Sequence, residues 1–187
     1  MKGIILVLFV WCLASCSTNT NRFTTEVKQI DSLHQEVLSA QERYAQLDAQ
    51  RTEMILGIIK EDMSKMTMKF KGQMSEEDAV VFSEYNSAKR LIKDFPKRNT
   101  QILRETERTL NQLTQFKEAL NTAATEDGMG NEINAEYVSK QYAVESRVAS
   151  ALIEQINSTI GYAEEATSEF ERLEGSVRTI LGDTLVN

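Results

Sequence analysis

The sequence predicts an all-α protein built from three long helical arms. It is rich in residues that favour helices, and it has one proline and eight glycines in 187 residues, as is typical of long helices. No run rich in Val, Ile and Thr alternates with polar residues as a half-buried strand would. Apolar residues instead recur at alternating spacings of three and four, the seam pattern of coiled coils. Together these features predict an elongated, antiparallel, up-down-up three-helix bundle.

The first arm is predicted over residues 24–71. Its seam continues without a gap but slips by one position between Ile58 and Ile59. A slip of this kind changes the local supercoil without ending a helix. The seam positions are Ile30, Leu33, Val37, Ala40, Tyr44, Leu47, Arg51, Met54 and Ile58, followed by Ile59, Met63, Met66 and Phe70.

The middle arm is predicted over residues 76–124, with Ser75 as its N-terminal cap and acidic residues in its first turn. The seam keeps its phase across Pro96. An interior proline removes one backbone hydrogen bond and kinks a helix. Because two separate helices would have little reason to stay in phase, we expect one helix kinked at Pro96; two helices are the alternative.

The third arm, over residues 132–181, has the clearest seam, with Asn131 and Gly182 as the expected caps. Eleven of its thirteen seam positions are apolar, and further apolar residues flank them. That width is expected of a helix that contacts two neighbours. The seam positions are Val138, Tyr142, Glu145, Ala149, Leu152, Ile156, Thr159, Ala163, Ala166, Phe170, Leu173, Val177 and Ile180.

Short turns between arms of similar length make neighbouring arms antiparallel. At a rise of about 1.5 Å per residue each arm is about 70 Å long. The number of residues suffices for one domain, which we expect over residues 24–187. Counting residues from the same end of the bundle along each arm places Arg51 level with Asn99 and Thr159. This predicts a polar layer within the seam. The alternative is that Arg51 extends along its apolar stem to solvent.

The N-terminal residues follow the plan of a secretory signal peptide. Lys2 precedes an apolar stretch that ends in small residues. That stretch is about 12 residues long, whereas a helix needs about 20 to span a bilayer. We therefore expect residues 1–15 to be a signal peptide.

The stretch ends in Leu13-Ala14-Ser15-Cys16, which resembles the lipobox of bacterial lipoproteins. The resemblance implies that cleavage precedes Cys16, whose thiol takes a diacylglycerol and whose new amino group takes a fatty acid such as palmitate. Cys12 follows a tryptophan and does not match. Residues 16–23 would then be a lipidated tether, with the 125–131 turn near the membrane and the 72–75 turn far from it. By analogy with enterobacterial sorting, Ser17 favours the outer membrane, facing the periplasm.

The sequence predicts no catalytic residue, cofactor or metal site. Met63, Met66 and Met68 raise the possibility of Cu(I) binding, but Met66 and Met68 lie on different sides of a helix, so core packing is the better interpretation. His34 is the only histidine, which excludes a structural zinc site and a catalytic dyad that need more such residues. The acidic segment 126–132 lacks the alternating oxygen ligands of an EF-hand loop, so we interpret it as a turn.

The charge and the absence of catalytic motifs narrow the function. A net charge of −7 argues against nucleic-acid binding, which requires clustered Lys and Arg. We therefore expect a non-enzymatic, lipid-anchored helical protein of the bacterial cell envelope that acts as a spacer, adaptor or partner-binding subunit for another protein. The alternative is a periplasmic ligand-handling module that holds a metal or a small hydrophobic molecule between its helices. The first predicts a closed core with a surface groove, and the second an apolar cavity with converging polar groups.

Overall fold

The computed structural model describes residues 22–122, 125–128 and 130–182, and within these ranges it is all-helical, as predicted. An isolated bridge between Glu126 and Glu132 is the β-type pairing of the described turn. No described helix combines the length and the apolar character needed to cross a membrane. The described helices are α1 (Thr24–Ala45), α2 (Ala49–Phe70), α3 (Glu76–Ile92), α4 (Phe95–Asn121) and α5 (Ala135–Leu181).

The first predicted arm is two helices rather than one. Residues 46–48 separate α1 from α2, and the Asp48 side chain caps α2 by accepting a hydrogen bond from the Arg51 backbone N–H at 2.8 Å. Asp is among the strongest N-capping residues, and a new helix start resets the seam. The seam therefore changes phase at this break and not at Ile59: Thr52 and Ile55 are buried, whereas Met54 is 58% exposed.

The middle predicted arm is also two helices, and not one helix kinked at Pro96. Residues 93 and 94 separate α3 from α4, and Pro96 lies in the first turn of α4. A proline there loses nothing, since the first backbone N–H groups of a helix have no partner within it. Lys93 keeps helical backbone angles (φ −55°, ψ −33°) across the interruption, which allows the seam to keep its phase.

The predicted helix ends are mostly correct. The Ser75 hydroxyl accepts from the Asp78 backbone N–H at 3.1 Å, and Gly182, with φ +81°, forms the left-handed cap of α5. The start of α5 is later than predicted, because Asn134 and not Asn131 supplies the cap, accepting from the Tyr137 N–H at 2.9 Å.

Packing divides the hydrophobic core into two clusters along α5, which contacts each of the other four helices. The first cluster joins α1 and α4 to α5 as far as Ile156. The second joins α2, α3 and Phe95 to α5 from Ala163 onward. Among the described residues, Leu47 is the hydrophobic side chain that packs against both clusters.

Contacts between helices fix their directions. Lys117 of α4 pairs with Asp31 of α1 at 2.6 Å, and Asn99 lies near the opposite end of that helix pair, beside Tyr44. α4 therefore runs antiparallel to α1. Arg43 of α1 bonds Asn157 of α5, and Lys69 of α2 bonds the backbone oxygen of Ile180, so α1 and α2 follow one another in the direction of α5.

Candidate functional site at the helix breaks

The two helix breaks lie at the same height in the molecule. The Tyr44 hydroxyl, one residue before the end of α1, donates a hydrogen bond to Asn99 Oδ1, near the start of α4, at 3.1 Å. At this height α5 continues without interruption. We call this level the waist; it comprises residues 43–52, 93–99 and 157–163.

Polar side chains connect α5 to its neighbours at the waist. The Arg43 guanidinium donates to Asn157 Oδ1 at 3.1 Å, and the Arg98 guanidinium lies 5.5 Å from the centre of the Tyr162 ring. The buried seam residue of α5 here is Thr159, whose hydroxyl donates to the Gln155 backbone oxygen within the same helix. The apolar core is therefore interrupted by polar groups at this height.

A cleft of about 670 Å³ opens between the α1–α2 break and α5; we call it the waist cleft. Its floor includes the apolar side chains of Leu47, Ile160 and Ala163. Its volume lies within the range of about 300–1,000 Å³ that is usual for binding pockets. The cleft is open to solvent and is not an enclosed apolar cavity.

Both signs of charge line the waist cleft. Arg51 pairs with Glu171 at 2.5 Å, and the two side chains are 51% and 54% exposed. The lining also includes Arg43, Asp48 and Glu164. Mixed charges beside an apolar floor can hold a polar segment of another protein, because they offer donors and acceptors to its backbone and side chains.

The predicted layer of Arg51, Asn99 and Thr159 is wrong in one member. Tyr44 and not Arg51 contacts Asn99. The Arg51 side chain extends to Glu171 at the surface, which agrees with the alternative prediction. The physical reason is the Asp48 cap: α2 begins with a new phase, which buries Thr52 and turns Arg51 outward.

The structure contains a buried ionic cluster, away from the waist, that was not predicted from the sequence. Asp62 of α2 is 2% exposed; it accepts from the Tyr85 hydroxyl at 3.0 Å and from the Arg178 guanidinium at 3.2 Å. Burial raises the pKa of the Tyr85 phenol, and the neighbouring Asp62 carboxylate raises it further. The Asp62 cluster joins α2, α3 and α5. The sequence signal for this cluster is that Asp62 occupies a seam position once the seam restarts at Asp48. The prediction placed the change of phase later, at Ile59, and so did not identify Asp62 as a buried residue.

The methionines and the histidine that the sequence analysis weighed as metal ligands do not lie together in one site. Met63 and Met66 are buried in the second cluster, whereas Met68 is 65% exposed. His34 Nε2 lies 3.5 Å from the Thr114 hydroxyl. In the described part of the chain, no group of three or more His, Cys, Asp and Glu side chains is arranged to hold a metal ion.

The acidic segment 126–132 is ordered by its own side chains. Asp127 accepts from the Asn131 backbone N–H at 2.8 Å and from the Tyr137 hydroxyl at 2.9 Å. Burial raises the pKa of the Tyr137 phenol, and the Asp127 carboxylate raises it further. These bonds account for a stable interhelical turn.

Cys16 and the predicted signal peptide, residues 1–15, lie outside the described residues. The described chain begins with Arg22, whose guanidinium donates to the backbone oxygen of Ile133 and lies 4.6 Å from the centre of the Phe23 ring. The start of α1 is therefore held beside the turn that precedes α5.

Comparison of the chain with models of protein families, with curated proteins and with solved structures finds no significant match.

Proposed function

We propose that the protein is a lipid-anchored, non-enzymatic adaptor of the bacterial cell envelope, facing the periplasm from the outer membrane. In this proposal the helices form an elongated, up-down-up rod of three arms, which are α1–α2, α3–α4 and α5. The rod presents the waist cleft to a protein partner. The observation that carries the proposal is an open cleft of mixed charge beside cores that are filled by side chains.

The anchor is proposed from the lipobox-like sequence ending at Cys16. The bond between Arg22 and Ile133 supports the orientation, because Arg22, at the described end of the proposed tether, contacts a residue next to the 125–131 turn. α1 has 22 residues, or about 33 Å at 1.5 Å per residue. The rod would therefore hold the waist cleft about that far above the turn nearest the membrane.

The type of partner is proposed from the chemistry of the waist cleft. The cores are closed by large buried side chains such as Ile30, Leu113 and Ile156, which supports an adaptor over a module that encloses a small hydrophobic molecule. Arg51 and Glu171 are half-exposed, so a polar peptide segment can exchange partners with them without uncovering a buried charge.

The anchor is tested by Cys16→Ser, with Cys12→Ser as the matched control. We expect Cys16→Ser to remove the lipid, so that the protein is no longer processed to its mature size and no longer labelled by a radioactive fatty acid. Cys12→Ser should be processed, labelled and membrane-bound like the wild type. A Cys16→Ser protein that keeps both the mature size and the label would contradict the proposal.

The binding surface is tested by a photo-crosslinking amino acid at Ser168, in the waist cleft, and at the control position Ser176, which is also exposed on α5. We expect a discrete cross-linked product from Ser168 alone, and its loss when Glu171→Lys reverses a charge of the cleft. Equal products from both positions, or a Ser168 product that Glu171→Lys does not change, would exclude the cleft as the partner site.

A further inference from the structure

We propose that the rod bends at the waist, with α5 as an unbroken spine, and that this bending opens and closes the waist cleft. The inference rests on the three-arm arrangement of the proposed function. It adds a moving part to that arrangement, and it identifies the bend as the means by which a partner in the cleft would alter the shape of the rod.

The first support is that regular helical hydrogen bonding stops at one height in two of the three arms. At residues 46–48, the backbone N–H groups of Gln46 and Leu47 donate to residues three positions earlier, Arg43 and Tyr44, which is the tighter pattern of a helix end. At residues 93 and 94, α3 gives way to α4. α5 alone crosses the waist as a continuous α-helix, and helices bend most readily where their hydrogen-bond ladder is interrupted.

The second support is that the core is thinnest at the waist. On α5, the first cluster extends to Ile156 and the second begins at Ala163. Between them the buried seam residue is Thr159, and the half-buried Ile160 packs against the first cluster. Leu47 joins the clusters from the side of the first arm. Because interiors resist deformation where side chains are closely packed, two cores that share Leu47 and are separated on α5 by the polar Thr159 can rotate as separate bodies.

The third support is that the contacts across the waist cleft are weak. The bond between Arg43 and Asn157 is exposed, and the pair of Arg51 and Glu171 is half-exposed. Ion pairs in this setting contribute little to stability, since solvent competes for both charges. They can therefore open at low cost, and the volume of the cleft gives the first arm space to move towards α5.

The geometry gives the bend a measurable size. Axes of packed helices lie about 8–10 Å apart, so a bend of about 20° with α5 as its axis changes the span of α1–α2 by about 3 Å. The span of α5 itself changes little. Bending therefore broadens distances measured along the first arm and leaves distances along α5 narrow.

The test uses pairs of spin labels in the full-length chain with Cys12→Ser and Cys16→Ser, so that introduced cysteines are the only thiols. One pair, at Gln35 and Ser64, spans the α1–α2 break. The matched pair, at Ser150 and Thr179, has the same 29-residue separation on α5 and also spans the waist. All four positions are exposed. Electron–electron resonance then gives both distance distributions.

We expect the first pair to give a distribution broader by about 3 Å than the second. Arg51→Ala should shift or broaden it further, whereas Lys117→Ala, which removes an interhelical ion pair away from the waist, should leave it unchanged. Equally narrow distributions that Arg51→Ala does not alter would overturn the hinge. A mean distance for the first pair far from that of the second would instead refute the parallel course of α1–α2 along α5, and with it the proposed rod.

Discussion

The Asp62 cluster gives the sharpest prediction for stability. Asp62→Leu removes the acceptor of the Tyr85 hydroxyl, and Tyr85 is fully buried. A buried hydroxyl without a partner costs about 1–3 kcal/mol. The same change removes the partner of Arg178, whose side chain is 22% exposed and lies 4.0 Å from Glu174. Because Arg178 can still reach solvent and Glu174, its share is smaller, about 0.5–1 kcal/mol. We expect a total loss of about 1.5–4 kcal/mol.

The pairwise part of this loss can be isolated with Tyr85→Phe. Alone, Tyr85→Phe removes one hydrogen bond to a charged group and should cost about 1.5–3 kcal/mol. In the double variant no buried hydroxyl remains without an acceptor, so the double variant should be no less stable than Asp62→Leu. If the double variant is as stable as Asp62→Leu, the coupling energy equals the loss in Tyr85→Phe, about 1.5–3 kcal/mol.

The assay is urea unfolding followed by circular dichroism on the wild type, both single variants and the double variant. Glu84→Ala is the control, because it removes an exposed ion pair between α3 and Arg172 of α5 and should cost less than about 1 kcal/mol. If the two single losses add within about 0.5 kcal/mol, the hydrogen bond between Asp62 and Tyr85 does not stabilise the fold as argued.

Two further predictions concern buried hydroxyl groups. The Thr109 hydroxyl is buried without a hydrogen-bond partner among the described residues, so Thr109→Val should raise the free energy of unfolding by about 1 kcal/mol. The control Thr159→Val removes a bond to the Gln155 oxygen and should not raise it. Equal effects of the two substitutions in urea unfolding would contradict the reasoning. Burial, with the charge of Glu53, raises the pKa of Tyr44 from 10.0 to about 12, so its contribution to stability is complete below about pH 10 and is lost as the pH rises through about 12. An alkaline absorbance titration should therefore lose an ionisation near pH 12 in Tyr44→Phe, and loss of one near pH 10 would show that the phenol is not buried.

The sequence predicted well what depends on a repeated pattern. The eleven buried seam residues of α5 are predictable, because one uninterrupted helix carries them in a single phase from Val138 to Val177. Local caps were also predictable where one side chain decides the structure, as Ser75 does for α3. These features follow from spacing and from short-range hydrogen bonds, both of which are visible in the sequence.

The breaks were harder to predict because a short interruption can preserve the seam. At Pro96 the phase continues although α3 and α4 are separate. Near Asp48 the phase does change, but Leu47 remains at a seam position and Ile58 and Ile59 are adjacent apolar residues, so the pattern alone allowed the slip to be placed later. The waist cleft follows from the correct position of the break and from the path of α5 beside it, which is tertiary information.

The misplaced seam slip and the wrongly predicted position of Arg51 therefore have one cause. The seam pattern does not distinguish Asp48 from any other polar position of a continuous helix, although its short carboxylate can accept from a backbone N–H and begin a new helix. Once Asp48 begins α2, Thr52 and Asp62 become buried positions and Arg51 becomes an exposed one. The same residue thus determines where the first arm breaks, which charges line the waist cleft, and which carboxylate lies in the core between α2, α3 and α5.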